Sequence, residues 1–395
     1  MRDLEVLDAG SVLIAEGKVA GVGPYKDIRR RAPRAKVEEV SGVIFPGFVD
    51  SHTHALFGMP RLKDQELRSQ GTDYKSIAAA GGGILSSVRD ARGRTDLARL
   101  AQARLRAMLA HGSTTVEIKT GYGLSLESEL DHLAAIGSLR PPPHVVPTFL
   151  GAHEVPPEFR GDPDRYVRLV VDEMLPAVAK QGIARFCDVF CEPGVFTVDQ
   201  SRRILATAQS LGLGAKLHAD ELDGSGGAEL AADLGAISAD HLAAISEPGV
   251  AALAGSGTVA VLLPGTMLFL GKTRRAPGRA LVDRGAAVAL ATDFNPGSAP
   301  GISLPLAAML GVSQLGLRPA EAVMAITANG AAAVGEEHRR GQIAVGFEAD
   351  LVLMAVDDWR ELPYWFGVNL VRKVWVGGAA CHPRGLPVNF AGEET

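Results

Sequence analysis

Apolar and polar positions along the chain follow two rhythms. From about residue 43 onward, short apolar runs rich in β-branched residues alternate with longer stretches whose apolar residues recur every three or four positions. The runs predict strands at Val43–Asp50, Thr114–Lys119, His144–Leu150, Arg185–Phe190, Ala215–His218, Ala236–Ser238, Val259–Leu263 and Ala286–Ala291. Between them lie amphipathic helices. Leu97, Leu100, Leu105, Met108 and Leu109 share one face after Thr95, a candidate cap, and Gly112 closes the segment. Thr197 with Gln200 forms a capping-box pattern opening a helix through Leu211. A helix over Asp164–Gln181 contains Pro176 and is expected to kink or break there.

Eight strand-like runs alternating with helices predict an α/β fold, a (β/α)8 TIM barrel, over an open doubly wound sheet. The placement of polar residues decides between them. His52/His54, Tyr122, His153, His218/Glu221, His241 and Asp293/Asn295 each follow a strand run. In a barrel such strand ends converge on one mouth, whereas an open sheet strings them along an edge. The two chain ends read differently, as short strands joined by Gly turns: Ser11–Ala15 and Val19–Val22 at one end, Ala349–Val356 and Val371–Val376 at the other. Neither end carries enough apolar surface to fold alone. The expected organisation is a composite small β-sandwich domain of residues 1–45 and 345–395, with residues 46–344 forming the catalytic barrel.

Composition narrows the function classes. A chain of 395 residues with 47% hydrophobic and 22% charged residues buries a substantial core and is not a disordered chain. A formal net charge of -5 lacks the basic stripe of a nucleic-acid binder. The longest apolar run, Val259–Leu270, is broken by Pro264-Gly265 and falls short of the ~20 residues of a membrane span. Three cysteines and an N-terminus without a signal-peptide core point to a reducing, cytoplasmic setting. Cys187 and Cys191 read as core thiols, Arg29-Arg30-Arg31 as a solvated loop, and His111 and His132 as surface or helix-end residues. His144, His338 and His382 have no evident partner, and Lys119 fits an anion contact and a packing role equally.

The chemistry starts at His52-x-His54. Residues two apart on an extended strand face the same side, so both imidazoles reach one ion. His218 is the natural third ligand, His241 follows the next strand, and Asp293 ends the last one. A catalytic metal keeps a position open for water, lowers that water's pKa toward ~7 and polarises a carbonyl. A carboxylate must then take the water's proton and return it to the leaving nitrogen. Asp293 and Glu221 are the candidates for that transfer, and His241 for donation to a developing oxyanion.

At these residues the sequence resembles the amidohydrolase superfamily. The broad marks are Pro46-Gly47-Phe48-Val49-Asp50-Ser51-His52-Thr53-His54 and Gly346-Phe347-Glu348-Ala349-Asp350-Leu351-Val352. Narrower marks are Ile118–Leu124, Gly151–Pro157, Phe186–Glu192 and Thr292–Ser298. These are similar to the imidazolonepropionase branch, which opens the imidazolone ring in histidine degradation. The resemblance implies one divalent metal per chain, Zn or Fe, held by His52, His54, His218 and Asp293. It implies 4-imidazolone-5-propanoate as the small-molecule substrate, with Arg61 gripping its propionate and Tyr122, His153 and Glu221 lining it. Asn295, Gly297 and Ser298 match the loop that contacts the ring-opened product, and His241 the histidine on the ring carbonyl. A homodimer is expected, without nucleic-acid or membrane partners. The sequence departs from the family pattern at Ser51, where proline is common, at Thr120 for serine and at Ser298 for threonine, and its N-terminal β segment is short.

Three other functions fit parts of this pattern less well. His218-x-x-Glu221 also suits an aromatic-ring deaminase of the same superfamily, but the carboxylate grip of Arg61, Tyr122 and His153 favours an acidic substrate. A dinuclear, dihydroorotase-like enzyme needs a bridging Lys, which Arg185–Glu192 lacks. A non-catalytic binding protein has no use for the Asp293 carboxylate.

Overall fold

The computed structural model describes residues 4–73, 76–77 and 80–381. His382, and the remainder of the expected C-terminal segment, lie outside the described residues. The chain opens with an antiparallel pair, β1 (Gly10–Ala15) and β2 (Lys18–Pro24). Arg29, Arg30 and Arg31 then lie in a helix, Tyr25–Arg31, rather than in the expected loop. Ile28 is the buried anchor of that turn, and the three arginines occupy its C-terminal end, where cations favour the helix dipole.

The run expected over Val43–Asp50 divides between two sheets. β3 (Val43–Pro46) is antiparallel to a C-terminal strand, whereas β4 (Phe48–Asp50) opens a parallel sheet. The break falls at Gly47, where a Cβ would lie 2.1 Å from Thr114 Oγ1. Only glycine lets the backbone pass this close to the neighbouring strand as it changes sheets.

Seven further strands follow in sequence: β5 (Ser113–Lys119), β6 (His144–Ala152), β7 (Phe186–Cys191), β8 (Gly214–Ala219), β9 (Ser238–His241), β10 (Val259–Leu262) and β11 (Val288–Leu290). Each pairs in parallel with the strand before it. Thr53 and Phe294 bridge the first and last strands, with the His54 N–H donating to Phe294 O (2.9 Å) and the Asp293 N–H to His52 O (3.0 Å). The sheet is thus drawn into a (β/α)8 barrel with helices outside. Strands β4, β5, β7, β9, β10 and β11 are buried along their whole length, as parallel strands covered by helices must be.

The strand expected at Ala236–Ser238 begins two residues later. Gly235, at φ +60°, and Ala236, whose N–H returns to Ala231 O, still close the preceding helix. The Thr197/Gln200 capping box is formed at the start of Val198–Ser210. In the helix Leu97–Ala110 the cap position belongs to Asp96, not Thr95. The Asp96 carboxylate is engaged by Arg94 (2.8 Å) and Arg99 (3.2 Å) and does not bond the helix end. The helix expected to kink or break at Pro176 is interrupted just before it by a π turn, Val170–Met174, between Pro163–Leu169 and Leu175–Gln181. The wider turn accommodates the missing N–H and the proline ring.

The C-terminal segment supplies β12 (Leu351–Met354), β13 (Val371–Val376) and β14 (Ala379–Cys381), which form one antiparallel sheet with β3. Val12 and Ile14 of the β1–β2 pair pack on Leu351, Leu353 and Trp375, so both chain ends build one small sandwich. Among the described residues no helix is long and apolar enough to cross a membrane.

Candidate active site

The predicted site residues gather at the C-terminal mouth of the barrel. His52 and His54 follow β4, and both are buried. Asp293 follows β11 at φ +52°, an unfavourable conformation for a non-glycine residue. It is held there by its N–H on His52 O, and by Asn295 Nδ2 donating to its carbonyl at 2.7 Å. Asp293 Oδ1 consequently sits 3.5 Å from His52 Nε2 and 3.6 Å from His54 Nε2, and Thr266 donates to its other oxygen at 2.6 Å. His218, on β8, places its Nε2 3.3 Å from His54 Nε2.

Two carboxylates behind the histidines select their tautomers. His52 Nδ1 is 2.6 Å from Asp240 Oδ2, and His218 Nδ1 is 3.1 Å from Asp188 Oδ1. Proton donation at Nδ1 leaves Nε2 as a lone pair, the form that ligates a metal. His52 Nε2 is buried without a hydrogen-bond partner. Burial holds His52 and His54 well below the usual imidazole range, aided by Lys119, His218 and neighbouring imidazoles. Neutral imidazoles, an orphaned inward nitrogen and a carboxylate oxygen make a donor set that fits a divalent cation. His52, His54 and Asp293 share one such group. His218 joins it through His52 in a group with His241, and through His54 in a group with His153.

The other predicted residues line the cavity above this cluster: Arg61, Tyr122, His153, Glu221, His241, Asn295 and Ser298. Arg61 is buried, and its Nε and Nη1 have no hydrogen-bond partner; Asp64 stands 3.9 Å away. Gly297 lies beneath the guanidinium, where a Cβ would come within 1.9 Å of Cζ. Asn295 Oδ1 accepts the N–H groups of Gly297 and Ser298, both at 2.8 Å, which folds this loop against Arg61. His153 Nδ1 donates to Gly121 O at 3.0 Å, and burial pushes its pKa down to about 3. Burial raises Glu221 well above the carboxylate range, reinforced by Asp293 and Glu192. Its Oε2 is 3.6 Å from His241 Nε2. Burial likewise raises Asp293, to about 6 against the Thr266 hydrogen bond.

Several residues at the site escaped the sequence reading. Ile84, Phe190 and Leu222 line the cavity as apolar wall. Glu129 accepts the N–H groups of Gly121, Gly123 and Leu124, and so sets the loop carrying Tyr122. Glu192 does the same for the loop of Glu221, through the N–H groups of residues 221–223. Asp188 and Asp240 are the most telling omissions, since ionisable residues inside fully buried strands are rarely without a partner. Lys119 belongs with them: Asp188, Glu117 and Asp240 surround its ammonium, and they raise its pKa against a burial effect that would lower it. His132 proves to be buried near Glu129, not on the surface, and His144 faces Glu336 at 3.7 Å. Cys187 and Cys191 are buried free thiols whose pKa burial raises, as expected of packing residues.

A barrel whose strand ends bring together four metal-type donor residues beside a buried carboxyl is the architecture of a metal-dependent hydrolase, and the chain belongs to the amidohydrolase family, whose model matches residues 43–381. Within that family it groups with the imidazolonepropionases. It is 46% identical to the imidazolonepropionase of Geobacillus kaustophilus (strain HTA426), over 96% of this chain and 91% of that protein. It is 47% identical to that of Symbiobacterium thermophilum, over 95% and 90%. Among solved structures, Aspergillus niger ochratoxinase aligns with a TM-score of 0.70 at 19% identity, covering 98% of this chain and 94% of that one. Escherichia coli guanine deaminase aligns at 0.68 and 16%, covering 95% and 93%. These two likenesses concern the fold.

Proposed function

We propose that the chain hydrolyses 4-imidazolone-5-propanoate to N-formimidoyl-L-glutamate, a step of histidine degradation, using one divalent ion per chain, zinc or iron. The observation that carries this reading is a single cavity with two poles. One pole is the His52, His54, His218 and Asp293 cluster. The other is a buried Arg61 with unpaired donors, suited to a carboxylate-bearing substrate.

His52, His54, His218 and Asp293 would hold the ion. When bound, it lowers the pKa of a coordinated water toward ~7 and polarises a carbonyl. Water adds to the ring carbonyl carbon, the ring C–N bond breaks, and the departing nitrogen keeps the electron pair and takes a proton. Asp293 accepts the proton of the water, a task suited to a carboxyl raised to about 6. Glu221, whose carboxyl burial raises well above the usual carboxylate range, serves as the proton partner of the ring nitrogen. His241 is held neutral by burial and donates to the carbonyl oxygen as charge develops there. Arg61 grips the propionate, Tyr122 and His153 complete that end, and Asn295, Gly297 and Ser298 wall the ring-opened product.

As domain organisation we assign residues 1–45 and 345–395 to the small β domain and 46–344 to the catalytic barrel. A cytoplasmic homodimer completes the reading, in keeping with free thiols at Cys187, Cys191 and Cys381. The test is incubation of the purified, metal-containing protein with 4-imidazolone-5-propanoate, following loss of ring absorbance and formation of N-formimidoyl-L-glutamate. An untouched substrate in the presence of bound metal refutes the reading. Ammonia release from aminated purines or triazines, without ring opening, would favour the deaminase instead.

A further inference from the structure

Beneath the histidines lies a closed set of five buried charges that the proposed reaction does not touch. Lys119 Nζ, on β5, stands 2.7 Å from Asp188 Oδ2, 3.0 Å from Glu117 Oε2 and 3.5 Å from Asp240 Oδ2. Lys216 Nζ, on β8, approaches Glu117 from the other side at 3.3 Å and donates to Ala333 O at 2.8 Å. All five side chains are fully buried.

The connections run upward from Lys119 in two branches. Asp188 uses its other oxygen on His218 Nδ1 at 3.1 Å, while Asp240 places the oxygen nearest Lys119 on His52 Nδ1 at 2.6 Å. Lys119 therefore touches neither histidine yet meets the carboxylates that orient both. An ammonium is a compact charge with three donors, matched here by three carboxylate oxygens from three strands. Formal charges leave the set at minus one. The Asp293 carboxylate above it brings the surroundings to minus two, the complement of a divalent cation.

We propose that Lys119 is a positioning residue of the metal centre, clamping Asp188 and Asp240 to one point so that His218 and His52 are aimed as a unit. This rests on the metal-site reading above. Without the ammonium, three buried carboxylates would face one another with only Lys216 beside Glu117 to balance them, and Asp188 and Asp240 would each turn its histidine.

The test is metal binding, not turnover. Metal-free full-length protein is titrated with Zn²⁺ against a chelating indicator, and separately with Co²⁺ to record its visible absorption. Wild type is compared with Lys119→Met and with Lys119→Met/Glu117→Gln, which restores the buried charge to minus one. Both variants are expected to melt cooperatively, to bind Zn²⁺ about tenfold more weakly or worse, and to show altered Co²⁺ bands. Wild-type affinity in the double variant would reduce Lys119 to a charge balance and overturn the proposal. Failure of both variants to fold would assign the lysine to stability alone, with the same consequence. A wild-type protein that takes up no metal would overturn the metal assignment itself, an outcome distinct from equal affinities.

Discussion

Gly297→Ala isolates the carboxylate grip without touching the metal ligands. A Cβ at this position would lie 1.9 Å from Arg61 Nε, Cζ and Nη2. Contacts under 3 Å are not sustained, so the guanidinium must retreat by more than 1 Å. The Gly297 backbone is outside the left-handed region, so alanine adds no conformational strain of its own. Arg61 Nε and Nη1 also lose no internal hydrogen bond by moving. Apart from the Asp64 ion pair at 3.9 Å, the penalty falls on the substrate. A displacement of about 1 Å in a positioning group costs on the order of 100-fold, or about 2.7 kcal/mol of transition-state binding. Steady-state ring opening of 4-imidazolone-5-propanoate should show this mainly as a raised KM, with the melting temperature unchanged. Arg61→Ala should lose a similar amount, and Gly297→Ala/Arg61→Ala little more than either alone, because both remove one interaction. A Gly297→Ala enzyme within threefold of wild type in kcat/KM would refute the grip, as would full additivity in the double variant.

Other outcomes follow from the same geometry. Asp293→Asn keeps the side-chain shape and the Thr266 contact but removes the proton acceptor, so kcat should fall by about 100-fold or more while the fold survives; a loss under about threefold, roughly 0.7 kcal/mol, would clear Asp293 of that role. Stripping the metal with a chelator should lower the melting temperature by several degrees and abolish turnover, with both restored by one equivalent of Zn²⁺; unchanged melting would argue against a bound ion at His52, His54 and His218. Glu336 is held at about 2 despite a burial effect that opposes this, because His144 and Arg185 face it. A carboxyl with a depressed folded-state pKa contributes stability above its unfolded pKa of about 4.5 and loses it as pH falls toward 2. Allowing for the exposed side of Arg185, that contribution is about 2 kcal/mol, and Glu336→Gln should flatten the acid limb of the stability curve between those limits; an unchanged limb would contradict the pairing.

The sequence made the barrel legible because its signal is redundant. Eight apolar runs, six of them followed by a polar site residue, leave few arrangements open, and displaced strand boundaries such as that of β9 do not alter the topology. The split of Val43–Asp50 was not legible, because an apolar run looks the same whether it serves one sheet or two. Only the approach of Thr114 to Gly47 separates them. At the site, His52, His54, His218 and Asp293 were readable from strand-end position. The residues that hold them were not: Asp188 and Asp240 lie next to more conspicuous neighbours, and their partners are over 25 residues away along the chain. Glu129 and Glu192 act through backbone N–H groups, which leave no mark in the identity of the residues they hold. For Glu192 the visible signal is a charge directly after the apolar run Phe186–Cys191, whereas Glu129, among Glu127, Ser128 and Asp131, has none.

The central claim, a metal-dependent opening of a carboxylate-bearing imidazolone ring, is tested most directly by titrating metal-free protein with Zn²⁺ or Fe²⁺ while measuring turnover of 4-imidazolone-5-propanoate. The account predicts activity that rises linearly with bound metal, breaks at one ion per chain, and yields N-formimidoyl-L-glutamate. Full turnover by metal-free protein, or a metal-loaded chain that leaves the ring closed, would contradict it.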